Sequence, residues 1–202
     1  ASGVIISKGT YVVSGLGVIQ AVYRKIDPKI RFKKFFKDGD RIKKGDVIVE
    51  LKGRTRSLLL AERLSLNILS HMMGIATRAN KLSSLLKGTR AKVLDTRKTT
   101  PNLRVLEKMA VRDGGGFNHR FCLSDAILAK ENHIAIAGGV KKALDRLYKV
   151  YGRSKKRPKI EIEVRSLEEF KKLLSHQFKP DIVMLDNMDI RDIKKAVSIN
   201  DG

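Results

Sequence analysis

With 202 residues, 42% of them hydrophobic, the chain can bury a core, and no apolar run reaches the ~18 residues that a membrane helix needs. Its 43 Lys and Arg against 21 Asp and Glu give a net charge of +22, which would attract polyanions of any kind. Yet the excess is spread along the chain, with peaks at Arg31–Lys37 and Arg153–Lys159, and 5% aromatic content without a Trp leaves few platforms for stacked bases, so nucleic-acid binding is not its expected purpose.

The first ten residues lack the basic start and apolar run of a signal peptide. Residues 1–53 alternate β-branched runs (Val4-Ile5-Ile6, Tyr11-Val12-Val13, Val18-Ile19, Val47-Ile48-Val49) with glycine and aspartate turns, and predict a small strand-rich domain over 1–56. Asp38–Gly53 reads as a compact β-hairpin. From Ser57 to Leu86 the apolar period changes to three and four: Leu60, Leu64, Ile68, Met72, Ile75 and Ala79 predict one buried helical face, broken or bent at Gly74. Met72 and Met73 read as core filler.

Beyond Thr89 short apolar runs alternate with helical patterns. The predicted strands are Ala91–Thr96, Ala126–Lys130, Lys159–Val164 and Asp181–Leu185. The predicted helices are Asn102–Asp113, Val140–Tyr151, Ser166–Ser175 and Ile190–Val197. Strand and helix at this spacing predict parallel βα units, an open sheet or an incomplete α/β barrel, over 57–202. The single cysteine, Cys122, cannot form an internal disulfide, which fits a reducing cytoplasm. No Cys and His spacing supports a structural zinc site.

In such folds polar residues at the carboxyl ends of strands converge. Here those ends carry Asp95-Thr96-Arg97-Lys98, Lys130-Glu131-Asn132-His133, Glu161 with Glu163, and Asp186-Asn187. Asp95–Ile134 also gathers Arg97, Lys98, Arg104, Lys108, Arg112, Arg120 and Lys130 around Gly114–Gly116 and His119, a set suited to small, multiply charged anions. The glycine run reads equally as a helix end. Two strand positions apart, Glu161 and Glu163 share a face, and two inward acids call for a cation between them. Mg²⁺ carried by a phosphorylated substrate would meet that need, with Asp186 a further oxygen donor. His71 and His176 read as structural, and His133 as shaping the loop after Lys130.

The block DTRKTTPNLRVLEKMAVRDGGGFNHRFCLSDAILAKENHI (Asp95–Ile134) closely resembles the quinolinate phosphoribosyltransferases. So do AERLSLNILSHMMGIAT (Ala61–Thr77), IEIEVRSLEE (Ile160–Glu169) and DIVMLDNM (Asp181–Met188), in the same order. The resemblance implies a type II phosphoribosyltransferase fold: an α/β sandwich-like N-terminal domain followed by an open α/β barrel. It implies transfer of phosphoribose from phosphoribosyl pyrophosphate to quinolinate with loss of CO₂, giving nicotinate mononucleotide and pyrophosphate for NAD biosynthesis, with Mg²⁺ as cofactor. Arg97, Lys98, His119, Arg120 and Lys130 would then line the quinolinate pocket, with Thr96 at its edge. Lys130 would also lie near the ribose, and Glu163 and Asp186 would hold the ribose hydroxyls as the catalytic acids. Arg63 would reach into the neighbouring subunit's site in a homodimer or higher oligomer.

Against the family pattern, the chain starts partway through the N-terminal domain and stops at Gly202 before the last barrel strands, so a shortened chain is expected. Met73 and Asn102 stand where the family usually has Ser and Gly. Two alternatives stay open: a paralogue of the same fold associated with molybdate transport, which the intact Lys98–Pro101 and Lys130–Ile134 motifs argue against, and a basic nucleic-acid-binding protein.

Overall fold

The computed structural model describes residues 1–152, 154 and 156–200. Arg153 and Lys155, part of the basic run Arg153–Lys159, and residues 201–202 lie outside the described residues. The chain divides into two units, Ala1–His119 and Arg120–Gly202. The change from strands to helices comes at Thr55, beside the expected boundary after residue 56, but the helix that begins there packs on the N-terminal core and stays in the first unit.

The first unit holds β1 (Ser2–Ile6), β2 (Tyr11–Val12), α1 (Leu16–Ile26), β3 (Arg31–Lys34), β4 (Arg41–Ile42), β5 (Val47–Lys52), α2 (Thr55–Leu85) and α3 (Arg104–Asp113). β5 is the middle strand of an antiparallel sheet in the order β1-β5-β3, and β2 pairs with β4. The hairpin expected over Asp38–Gly53 is therefore not formed. A turn at Lys43–Asp46, closed by the Asp46 carboxylate on the Lys43 N–H at 2.8 Å, sends β5 to one sheet and leaves β4 in another. β5 goes there because Ile48, Val49 and Leu51 are buried in the core.

Helix α1 is a second departure. Val18-Ile19 reads locally as strand, yet Leu16, Ile19 and Tyr23, at helical spacing, are all buried, so packing overrides β propensity. Asp38 Oδ1 accepts the Leu16 N–H at 3.0 Å and satisfies one orphan donor of the first turn.

Gly74 does not break α2, which runs through it as one element of 31 residues. A mid-helix glycine costs only about 1 kcal/mol, and Met72, Met73 and Ala76 around it are locked into the core. The buried stripe also differs from the expected one. It runs Ala61, Ser65, Leu69, Met72, Met73, Ala76 and Ala79, while Leu60 and Leu64 are exposed. Toward its C-terminal end the stripe uses small residues because neighbouring backbone comes close: a Cβ on Gly114, at the end of α3, would lie 2.2 Å from the Ala76 carbonyl oxygen and 2.8 Å from the Ala79 Cβ. The strand expected at Ala91–Thr96 is reduced to one parallel bridge, Leu94 with Phe117. Its first two residues are exposed, and among the described residues no strand pairs with them.

The second unit repeats strand and helix: β6 (Ala126–Ala129), α4 (Glu131–Ala137), α5 (Val140–Tyr151), β7 (Lys159–Val164), α6 (Leu167–Ser175), β8 (Ile182–Leu185) and α7 (Ile190–Ile199). The strands are parallel in the order β6-β7-β8, as the βα pattern predicts. On β7, Ile160, Ile162 and Val164 are fully buried against Leu144, Phe170 and Leu173, and each contributes about 1.5–3 kcal/mol. Ser166 and Asp189 cap α6 and α7 through their side chains. Buried His176 ties α5 to the end of α6, with Nε2 2.9 Å from Asp145 Oδ1. Strand-rich antiparallel layers followed by parallel βα units make this the α/β fold expected. Among the described residues no helix is long and apolar enough to cross a membrane.

Candidate functional site

In the first unit the polar residues of Asp95–Arg104 are organised by one carboxylate. The Phe117 N–H donates to the Val93 oxygen at 2.8 Å, and the Asp95 N–H to the Phe117 oxygen at 3.1 Å, which fixes Asp95 beside residues 117–119. Asp95 Oδ1 accepts from Lys108 Nζ at 2.5 Å and from the His119 N–H at 2.8 Å. Lys108 Nζ also donates to the His119 oxygen at 2.9 Å. The Asn118 amide, oriented with its nitrogen inward, donates to Asp95 Oδ2 at 2.9 Å. Lys108 and Asp95 expose only 4% and 7% of their side chains, so this lysine is not one of the ligand-facing cations expected from sequence. It is the internal counterion that holds His119 in place.

Arg104 is likewise a brace, with Nε on Thr99 Oγ1 at 3.1 Å and Nη2 on the Arg97 oxygen at 3.3 Å. The glycine run also has structural reasons. Gly114 permits the approach to α2, Gly115 has φ of +83°, and a Cβ on Gly116 would meet Val111 Cγ1 at 2.7 Å. Helix end and close packing account for it.

What these braces present is Thr96-Arg97-Lys98. Thr96 and Lys98 are exposed, and Thr96 Oγ1 accepts the Lys98 N–H at 3.1 Å. Arg97 Nε is buried and, among the described residues, makes no hydrogen bond. A buried guanidinium N–H without an acceptor is costly. The Thr100 N–H meets both Glu107 oxygens at 3.4 Å, and Glu107 Oε1 lies 2.9 Å from His71 Nε2. Burial pulls the Glu107 carboxyl up, but the Thr100 and His71 bonds outweigh it and hold the group below the usual carboxylate range. Asn102 has φ of +64°, a left-handed turn that glycine takes freely and that Asn tolerates best among the rest. Arg63, exposed on α2, borders a cleft of about 610 Å³ with Lys8, Asn67 and Ser70, and no residue of 95–119 lines that cleft.

In the second unit Arg120 Nη1 donates to the Ala126 oxygen at 2.9 Å, and Cys122 is tied into its own turn by Asp125 and Ser124. The carboxyl edge of the sheet carries a charge ladder. The pairing of Ala129 with Ile162, extended by one residue, sets Lys130 beside Glu163; that of Val164 with Leu185, likewise extended, sets Arg165 beside Asp186. The side chains follow. Lys130 Nζ lies 3.4 Å from Glu163 Oε1, and Arg165 Nε lies 3.4 Å from Asp186 Oδ2. Arg165 Nη1 also pairs with Glu131 on the first turn of α4. The Asn187 amide donates to Asp186 Oδ2 at 3.3 Å. Each acid thus has one oxygen held, and among the described residues neither Glu163 Oε2 nor Asp186 Oδ1 has a partner. His133 Nδ1 accepts the Lys130 N–H at 2.9 Å and shapes that turn, as expected. Glu131, Asn132, Glu163, Arg165 and Glu169 border a cleft of about 310 Å³.

The structure therefore brings Lys130 to Glu163 and sets Asp186 next on the ladder, while Thr96, Arg97, Lys98 and His119 belong to the first unit. Asp95 and Lys108 as a closed pair, and Arg165 as a member of the ladder, were not singled out from sequence, whereas Glu131 was named there only within the strand-end run Lys130–His133. For Arg165 the signal was present, one residue past the predicted end of β7. No comparable signal marks Lys108, whose burial depends on a partner 13 residues away. No group of three or more His, Cys, Asp or Glu among the described residues could by itself hold a metal ion.

Residues 1–73 match the quinolinate phosphoribosyl transferase N-terminal domain, and residues 75–202 its C-terminal domain. The chain is 43% identical over 196 residues to a probable nicotinate-nucleotide pyrophosphorylase [carboxylating] of Archaeoglobus fulgidus, covering 96% of this chain and 72% of that one. It is 38% identical to the Bacillus subtilis protein of the same description, over 91% of this chain and 62% of that one. Among solved structures, NadC from Streptococcus pyogenes matches with a TM-score of 0.89 and 43% identity, over 98% of this chain and 69% of that one. The Ehrlichia chaffeensis nicotinate-nucleotide pyrophosphorylase gives 0.91 and 35%, over 100% and 71%.

Proposed function

The chain belongs to the quinolinate phosphoribosyltransferase family, and we propose that it transfers phosphoribose from phosphoribosyl pyrophosphate to the ring nitrogen of quinolinate, with loss of the 2-carboxylate as CO₂. The observation that carries this reading is Arg97, whose guanidinium stands beside exposed Lys98 on a loop braced by Arg104 and Glu107. A planar guanidinium and a neighbouring ammonium suit a carboxylate on a flat ring.

In the first unit Thr96, Arg97, Lys98 and His119 would serve quinolinate; in the second, Arg120 and Lys130. Quinolinate carries two carboxylates, and decarboxylation develops further negative charge, so several fixed cations stabilise the reacting form without reorganising. Glu163 Oε2 and Asp186 Oδ1 are free to accept ribose hydroxyls, which would orient the anomeric carbon for a transition state of oxocarbenium character. Lys130, already paired with Glu163, would serve the ribose as well. No covalent nucleophile is needed.

Two carboxylates with one free oxygen each fit a hard cation that brings most of its own ligands, and hence Mg²⁺ arriving on the pyrophosphate. Bound there, it would supply charge neutralisation for the leaving group. The exposed Leu60 and Leu64 flank Arg63 on α2, which supports a homodimer in which Arg63 serves the partner's site. An unpaired Cys122 supports a reducing compartment such as the cytoplasm.

The test is steady-state turnover by Arg120→Ala and Lys130→Ala. Each should lower kcat/KM by at least ~100-fold, the scale of losing a charged contact made in the transition state, with circular dichroism unchanged. Near-normal turnover in both would remove these residues from the site.

A further inference from the structure

Asp186 presents one particular oxygen, and the residue responsible is Arg165. Two side-chain contacts and one backbone hydrogen bond define this residue. Its Nε faces Asp186 Oδ2 at 3.4 Å, its Nη1 pairs with Glu131, and its backbone N–H donates to Glu169 Oε2 at 2.8 Å. Glu169 is in turn fixed in the first turn of α6, where its N–H bonds the Ser166 cap at 3.1 Å. Arg165 is therefore anchored at its backbone by the helix that follows β7, and its head spans the loops after β6 and β8. No other described side chain pairs with residues following both neighbouring strands.

The consequence for Asp186 is geometric. Its backbone N–H is bound to the Val164 oxygen at 2.9 Å, which fixes the Cα but leaves the carboxylate free to rotate. Asn187, at φ of +52°, supplies a weak second contact to the same Oδ2 at 3.3 Å. Among these contacts only the guanidinium contributes a charge; its ion pair at 3.4 Å reinforces the Asn187 hydrogen bond in drawing Oδ2 in and leaves Oδ1 as the presented oxygen. Lys130 does the same for Glu163 by holding Oε1. The two acids are thus prepared by separate cations, so neither acid has to share a cation with the other. Arg165 also offsets Glu131 and so reduces the repulsion that three acids at one sheet edge would otherwise exert on a phosphorylated ligand.

We infer that Arg165 is a positioning residue for the phosphoribosyl donor: by bridging Glu131 and Asp186 it aims Asp186 Oδ1 at a ribose hydroxyl. This rests on the assignment of Asp186 to the ribose under the proposed function. A long planar guanidinium is needed because one head must reach two carboxylates; lysine, a point charge, can serve one at a time.

The experiment compares wild type, Arg165→Met, Arg165→Lys, Asp186→Asn and the double variant Arg165→Met/Asp186→Asn. It measures the Kd of Mg²⁺–phosphoribosyl pyrophosphate by calorimetry and, separately, KM for each substrate. Loss of Arg165 should weaken donor binding about tenfold, the effect of misplacing one charge-assisted hydrogen bond, while KM for quinolinate stays within about twofold. Arg165→Lys should recover part of the loss, and the double variant should bind no worse than Asp186→Asn alone, because the two residues act as one unit. Where Arg165→Met fails to fold, Glu131→Gln replaces it and should weaken donor binding by a smaller factor. Unchanged donor affinity in Arg165→Met, or losses that simply add in the double variant, would overturn the inference. Wild type that binds the donor but does not turn over quinolinate would sink the proposed function and leave the Arg165 comparison readable from the Kd values. Wild type that binds no donor would end both.

Discussion

Replacing Lys108 with Met should destabilise the first unit severely, and the reason lies in the closed polar cluster beneath the Arg97 loop. Lys108 is 3% exposed as a residue, and among the described residues its ammonium is the only cation bonded to Asp95, whose side chain is 7% exposed. Removing one partner of a buried pair strands the other charge in a poorly solvating environment, which costs about 3–5 kcal/mol. For a chain of this size about 2–4 °C of Tm is lost per kcal/mol, so Tm should fall by on the order of 10 °C. The double variant Lys108→Met/Asp95→Asn contains no stranded charge, and a neutral Asn oxygen can still accept the His119 N–H. It should therefore recover a substantial part of the loss. Thermal unfolding followed by circular dichroism at neutral pH measures all three proteins. A single variant within about 2 °C of wild type would refute the reasoning, as would a double variant no more stable than the single one. Either result would mean that water reaches Asp95 and that the pair does not hold His119.

Two further substitutions probe separate parts of the account. Asn102, at φ of +64°, should tolerate glycine with little change, whereas Asn102→Ala should lose about 1 kcal/mol, measured by urea unfolding; equal stabilities would refute the left-handed turn. The Arg157 guanidinium beside Asp181, its Nη2 3.1 Å from Oδ1, holds that carboxyl below its usual range. A lowered folded pKa makes the unfolded chain bind more protons. This contribution is therefore full above the ordinary carboxylate range and is lost as pH falls through the lowered folded value. Asp181→Asn should remove about 1 kcal/mol at neutral pH, and it should lose less stability than wild type on acidification below about pH 4. Parallel stability–pH curves for the two proteins would contradict this.

The parts of the fold that sequence revealed are those where one element decides its own fate. β7 reads correctly because Ile160, Ile162 and Val164 alternate with Glu161 and Glu163, so its two faces are written in period two. α6 and α7 declare their starts with Ser166 and Asp189 at the cap. What failed depended on partners elsewhere in the chain. Val18-Ile19 becomes helical because the core receives Leu16, Ile19 and Tyr23 together. β4 and β5 separate because β5 is claimed by β1 and β3. The buried stripe of α2 turns to Ala76 and Ala79 at its C-terminal end because Gly114 brings backbone against Ala76, a contact 38 positions away that hydrophobic periodicity cannot register. The site shows the same division. Thr96, Arg97, Lys98, Lys130, Glu163 and Asp186 are legible because they end strands or extended segments. Lys108 read as one more cation because its partner and its burial belong to tertiary structure. Glu131 and Arg165 lay in plain view, but their bridge exists only once β6, β7 and β8 stand side by side.

Calorimetric titration with quinolinate, with nicotinate as the single-carboxylate control, tests most directly whether this chain recognises an aromatic dicarboxylate. The cations proposed for quinolinate should make it bind at least about tenfold more tightly than nicotinate, one added charge-assisted contact's worth of discrimination. Equal affinities, or no binding by a folded sample with a cooperative thermal transition, would contradict the assignment of these cations to quinolinate.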